Sequence, residues 1–205
     1  MAGTASDRVD ALRAFDRFCA RRIGVLQRRL LGHERRRDEP VILRSLQPGD
    51  IGWVVSRHGA LYAQEYGWDM SFEALVAHIA ARVVEQFEAG REAAWIAEHD
   101  GARAGCVFLV QARDERTGRP IPRVAQLRML LVEPAARGLG LGRRLTDECT
   151  AFAKAAGYAR IRLWTNSVLL AARAIYQRAG YRLVASEPHH SFGHDLVGET
   201  WELAL

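Results

Sequence analysis

One stretch constrains the fold more than any other, residues 124–146, which read VAQLRMLLVEPAARGLGLGRRLT. Val124, Leu127, Met129, Leu130, Leu131 and Val132 form an apolar run with no helical spacing, the pattern of a buried strand. Pro134 ends it, because proline has no N–H to give a ladder. Arg137-Gly138-Leu139-Gly140-Leu141-Gly142 follows, and from Gly140 onward Leu141, Leu145, Cys149 and Phe152 share one helical face. The order is strand, glycine turn, helix. A glycine turn in that position aims several backbone N–H groups at one point. The helix N-terminus adds partial positive charge there, so a phosphate is the natural occupant.

Composition sets the outer bounds. A chain of 205 residues, 49% of them apolar, suits one medium domain with an appendage. No apolar run is long enough to span a bilayer, so no membrane partner is expected. Asp7 and Asp10 near the start, without an apolar core, do not read as a secretion signal. Cys19, Cys106 and Cys149 are odd in number, far apart and not in metal spacing, which predicts a reduced, cytoplasmic protein with no metal. The net charge of +5 lies mostly in residues 1–39, with ten arginines against six acids. The remainder is close to neutral, so nucleic acid is not an expected partner.

Taken in order, residues 6–31 carry an apolar stripe, Val9, Leu12, Phe15, Cys19, Ile23, Leu26 and Leu30, that predicts an amphipathic helix. A polar linker reaches Glu39, and a second domain is expected over residues 40–205. Within it, Val41–Leu46 reads as a strand. Helices are expected over Ile51–Tyr66 and after a Ser71 cap, the second with Phe72, Leu75, Val76, Ile79, Val83, Val84 and Phe87 on its stripe. Ala93–Glu98 and Gly105–Gln111 read as a hairpin about Asp100-Gly101. After the central strand and its helix come a strand over Arg160–Trp164, a helix over Val168–Ala179, and strands over Tyr181–Ser186 and Thr200–Leu203. Glu187–Glu199 is expected to be a loop. The order predicts an α+β fold, a mixed and mostly antiparallel sheet flanked by helices, plus the extra N-terminal helix.

The glycine turn can be sorted by its neighbours. A dinucleotide site wants G-x-G-x-x-G and an acid after the next strand, and a P-loop wants G-K-[ST]; neither is present. The turn resembles the acyl-CoA motif of the GNAT superfamily, [QR]-x-x-G-x-[GA], filled by Arg137, Gly140 and Gly142 after Val132-Glu133-Pro134. The element order over residues 41–205 is similar to the GNAT fold as well. The phrases GDIGWVVSRHGALYAQEYGWD, LWTNSVLLAARAIYQRAGYRLV and SFGHDLVGETWEL resemble the acetyltransferase half of bacterial fusions with a MarR-type regulator. LRAFDRFCARRIGVLQRRLLG resembles the first helix of the regulator half, which there contributes to a dimer interface. A homodimer is therefore expected. The nine residues GHERRRDEP that follow are too few for a DNA-reading unit.

The resemblance implies a site and a chemistry. Acetyl-CoA would be the co-substrate and a small-molecule or peptide amine the acceptor. Backbone groups of Leu130, Leu131 and Val132 would meet the pantetheine arm and the thioester carbonyl. Arg137, Gly138, Leu139, Gly140, Leu141, Gly142 and Arg143 would cradle the pyrophosphate, with Asn166 and Arg173 as further contacts. Tyr176, placed as in the family's Y-x-x-x-G-[FY] ending, would protonate the departing thiolate, since a phenol stays protonated at neutral pH. Glu65, Asp69, Glu98 and Glu133 are open alternatives for a general base, as is a water chain. His189, His190, His194 and Asp195 would border the acceptor. The alternative to an enzyme is a non-catalytic acyl-CoA-binding regulator descended from such a fusion.

Overall fold

The computed structural model describes residues 40–114 and 116–205. The N-terminal helix, its dimer role and the domain boundary after Glu39 fall outside the described residues. Seven strands form one sheet: β1 (Ile42–Ser45), β2 (Ala93–His99), β3 (Ala102–Arg113), β4 (Pro120–Val132), β5 (Arg160–Asn166), β6 (Arg182–Ser191) and β7 (His194–Ala204). Four helices flank it: α1 (Asp50–Tyr66), α2 (Met70–Glu85), α3 (Leu141–Ala155) and α4 (Leu170–Arg178). The strand order is β1-β2-β3-β4-β5-β7-β6, and β4–β5 is the one parallel pair. This is the α+β architecture expected from the element order. Among the described residues no helix is long and apolar enough to cross a membrane.

Two cores form because the sheet buries both faces. Leu145, Cys149 and Ala153 of α3 pack with Val107, Leu109, Ile161 and Leu163 on one side. Val54 and Leu61 of α1 and Ala80 and Val83 of α2 pack with Ile96, Cys106 and Phe108 on the other. The alternation of successive side chains across a strand divides β3 in this way, with Val107 and Leu109 to one core and Cys106 and Phe108 to the other.

Three expectations are corrected. The α2 stripe is narrower than its apolar letters imply: Leu75, Val84 and Phe87 are exposed, and Phe87 lies beyond the helix end at Glu85. The cap of α2 is Asp69, whose carboxylate accepts the Ser71 N–H at 2.9 Å, because the chain turns helical two residues earlier than a Ser71 cap requires. Glu187–Glu199 is not a loop. β6 and β7 run as a long hairpin that reverses at Phe192-Gly193, both with positive φ, as a tight primed turn demands. The Asp100-Gly101 hairpin turns in the same way, as its sequence implies.

The start of α1 is held by a charge cluster. Asp50, fully buried, receives Arg44 at 2.6 Å, Arg103 at 2.7 Å and the Gln47 N–H at 2.7 Å. The Arg44 hydrogen bond above all holds its carboxyl down at about 2. Replacing Asp50 by Asn should leave two guanidinium groups underpaired and cost about 3 kcal/mol. The expected result is a lower urea midpoint with an unchanged m-value.

Candidate active site

The site begins where the sheet opens. β4 and β5 pair from Val124↔Arg160 to Leu127↔Leu163 and then part. Beyond that point β4 stays with β3 (Cys106↔Leu131, Gly105↔Val132) and β5 stays with β7 (Trp164↔Thr200 to Asn166↔Gly198). A bulge marks the divergence. Two residues, Met129 and Leu130, stand opposite one on β3, and Met129 takes φ 56°. The Cys106 thiol donates to the Met129 carbonyl at 3.1 Å and anchors the bulge.

The bulge decides which backbone groups face the gap. Leu131 directs its carbonyl toward β3, 2.6 Å from where a Cβ on Gly105 would stand, and the Glu133 N–H donates to Ala104 at 2.9 Å. Because backbone groups alternate along a strand, Leu130 and Val132 turn theirs toward the side that β5 has left. Leu131, grouped with them from sequence, faces the other way.

At the far end of β4 a short 3-10 turn, Pro134–Ala136, leads into the glycine loop. Gly138 and Gly140 take φ of 83° and 74°, and α3 starts at Leu141. Such φ values are cheap for glycine alone. The N–H groups of Gly138, Leu139, Gly140, Leu141, Gly142 and Arg143 donate to no backbone acceptor among the described residues. N–H groups left open in this way at a helix N-terminus suit an anion. Gly142 has a different reason to be glycine: a Cβ there would lie 2.6 Å from Ile175 Cδ1, so it lets α4 approach α3.

The charged candidates are engaged elsewhere. Arg137 pairs with Glu65 at 2.7 Å, and Arg143 with Asp147 at 3.4 Å. Arg173 holds the buried Glu199 at 2.9 Å. Asn166 is buried, its Oδ1 2.9 Å from His189 Nε2. The four acids considered as bases are also partnered. Glu133 binds Arg57 through two bonds of 2.6 and 2.9 Å, and Glu98 binds Arg44 at 2.7 Å. Glu65 holds Arg137 and Asp69 caps α2. The hairpin histidines separate. His190 pairs with Asp195 at 2.7 Å, while His194 reaches the Gly67 carbonyl at 3.1 Å and ties the hairpin tip to the α1–α2 turn.

Between the parted strands and α1–α2 lies a cavity of about 350 Å³. Leu130 and Tyr176 lie on its wall with Tyr62, Trp68, Phe72 and His58. Tyr176 is nearly buried, and desolvation, followed by the neighbouring Tyr62, pushes its phenol well above the ordinary range. His58 is the residue the sequence reading passed over. It sits on the apolar stripe of α1 four residues before Tyr62, and a histidine in such a stripe is the available signal. Its Nδ1 lies 2.8 Å from the Val54 carbonyl, so Nδ1 carries the proton and Nε2 is left as an acceptor. Burial pushes the imidazole down to about 4, against the upward pull of that bond.

A sheet opened between two strands, with a glycine turn at a helix N-terminus beside the gap, leaves room for an extended ligand with an anionic end. Residues 90–183 match the family model described as the acetyltransferase (GNAT) domain. The mycothiol acetyltransferase of Beutenbergia cavernae is 28% identical over 160 residues, covering 72% of this chain and 50% of that protein. The chain thus spans about half the length of the curated relative it matches. The structure of yncA from Salmonella typhimurium, described as an acetyltransferase with its cofactor acetyl-CoA, superposes with a TM-score of 0.63 at 18% identity, covering 80% of this chain and 94% of that one. The ribosomal-protein-alanine N-acetyltransferase of Brucella melitensis superposes with a TM-score of 0.63 at 17% identity, covering 80% and 99%. At these identities the likeness is one of fold. Residues 90–183 thus match the GNAT acetyltransferase domain, within a fold shared with the solved acetyltransferases.

The His58 shift has a consequence for stability. An unfolded chain takes up this proton near pH 6.5, whereas the folded one resists until about 4. The contribution is complete above that upper value and is lost as pH falls toward the lower one, at up to about 1.4 kcal/mol per pH unit. Urea unfolding followed between those two values should show the loss, and His58→Asn should flatten it.

Proposed function

We propose that this protein transfers an acetyl group from acetyl-CoA to a primary amine by direct attack. The observation that carries the reading is the run of six N–H groups over residues 138–143 that donate to no backbone acceptor, at the end of strands that part. A pyrophosphate satisfies the N–H groups. The amides of a pantetheine arm replace the ladder partner that β4 loses past Leu127, through Leu130 and Val132. The acetyl-CoA bound by the Salmonella relative and the acetyltransferase name of the Beutenbergia relative point the same way.

The reaction then follows. The neutral amine nitrogen bonds to the thioester carbon and the C–S bond breaks. Tyr176 protonates the departing sulfur, the nitrogen loses its proton to solvent, and solvent returns a proton to Tyr176. A phenol raised by burial is a reluctant donor to an ordinary thiolate. Burial raises a thiol in the same direction, as it does for Cys106 and Cys149 in this fold. Most of the rate comes from holding amine and thioester together in the cavity. Arg137 serves the cradle from its pairing with Glu65, as a positive flank to the N–H groups.

Isothermal titration of acetyl-CoA is the first test, and saturable binding is expected. Gly140→Val puts a branched side chain at φ 74° over the cradle and should weaken binding at least tenfold. Tyr176→Phe should keep the affinity and lower kcat about 100-fold. Wild-type turnover in that variant removes the acid role and leaves the binding site standing.

A further inference from the structure

We propose that the acceptor is a primary amine with a single cationic centre on an apolar, preferably aromatic, body, and that its reacting nitrogen is received by Nε2 of His58. The inference rests on the acetyl-transfer reading and names the substrate class of that site.

The cavity wall carries it. Tyr62, Trp68 and Phe72 form one aromatic surface, with ring centroids 4.5 Å apart for Tyr62–Phe72, 5.0 Å for Tyr62–Trp68 and 4.7 Å for Trp68–Phe72. Trp164 lines the cavity from β5 and is half exposed. Among the described residues, no aspartate or glutamate lines the cavity. Glu65, Glu98 and Glu133 are each paired with an arginine, and Asp69 caps α2. An apolar body gains by leaving water for such a surface, and aromatic faces tolerate one ammonium beside them. A second or third ammonium, as on a polyamine or an aminoglycoside, would lose its hydration with no carboxylate to pair with.

The polar groups of the wall narrow the point of attachment. Gln126 Oε1 accepts from Arg128 at 3.0 Å, and Asn166 Oδ1 is bonded to His189. His58 Nε2 has no hydrogen-bond partner among the described residues, and its ring lies on the cavity wall with Nδ1 fixed to Val54. A nitrogen lone pair fixed in direction accepts one N–H of the neutral amine and turns the amine's own lone pair toward the thioester. His58 in this role orients the nucleophile and does not store its proton, which leaves to solvent. Tyr62 on α1, Phe72 on α2, Leu130 on β4 and Tyr176 on α4 present carbon or hydroxyl, while Arg128 of β4 puts a guanidinium on the same wall, which disfavours each further ammonium on the acceptor.

The test reads binding and turnover separately. Phenethylamine, spermidine and kanamycin are titrated into the protein, free and loaded with CoA, with quenching of tryptophan fluorescence as the signal, since Trp68 and Trp164 line the cavity. Phenethylamine should bind at least about tenfold tighter than either polycation, and its kcat/KM for thiol release from acetyl-CoA should exceed theirs by a similar factor. Equal or tighter binding of a polycation, or faster turnover of one, overturns the acceptor class and leaves acetyl transfer intact. Failure to bind acetyl-CoA in the titration removes acetyl transfer itself, while the amine titration of the free protein still decides the acceptor class. Two variants separate an orienting His58 from a structural one. His58→Asn keeps a donor for the Val54 carbonyl and deletes the acceptor at Nε2. His58→Gln keeps an acceptor near Nε2 and gives up the Val54 bond. An orienting role predicts a loss of about 30-fold or more in kcat/KM for phenethylamine in the Asn variant, partial rescue in the Gln variant, and unchanged acetyl-CoA affinity in both. Activity kept by Asn and lost by Gln overturns the assignment.

Discussion

β4 cannot satisfy β3 and β5 along its whole length. Past Leu127 it follows β3, and β5 follows β7. The extra residue at Met129 is what lets β4 turn without losing its partner on the other side. A left-handed backbone at a non-glycine residue is a cost of the order of a kilocalorie, which the buried Cys106 thiol and the two cores around it hold in place. Two features depend on that divergence. The backbone of Leu130 and Val132 is released from pairing, and a cavity opens between the sheet and the first two helices. Had β4 and β5 stayed in register to their ends, the glycine loop would lie beyond a closed sheet, with nothing to connect a bound phosphate to a reacting centre.

α1 links the parts. Its side chains reach the end of β4 through Arg57–Glu133, the glycine loop through Glu65–Arg137, and the cavity through His58 and Tyr62. Its own start is held by Asp50 between Arg44 of β1 and Arg103 of β3. The charged residues around the site therefore act mainly as ties between elements. In the proposed reaction the chemistry falls to backbone N–H groups, one phenol and one neutral imidazole. This division suits a buried reaction. Backbone dipoles and neutral side chains can be kept in a dry cavity at small cost, whereas an unpaired carboxylate or guanidinium cannot.

Much of the architecture was legible in the chain. Alternation, stripes and turn residues placed eleven helices and strands in the right order over residues 41–205, because each of these patterns is local and follows the period of its element. The glycine loop was legible for the same reason: positive φ at Gly138 and Gly140 is a property of the backbone at those residues. The reading failed where a distant partner decides. Arg137 was placed by its motif position and Arg173 by its helix, but the partner each side chain holds depends on an opposite charge far along the chain, as Glu65 is from Arg137. The loop expected over Glu187–Glu199 became strand because β7, already paired with β5, offered its other edge to β6.

The sequence by itself determined the order of elements, the anion-binding turn at the start of α3 and the tyrosine near the end of α4, since periodicity, glycine conformation and motif spacing are written residue by residue. The tertiary structure alone decided where β4 leaves β5, which of Leu130, Leu131 and Val132 faces the gap, and that His58 lines the same cavity as Tyr176. Those depend on strand register and on the packing of α1 against β3 and β4, which couple residues far apart in the chain and leave no periodic trace in it.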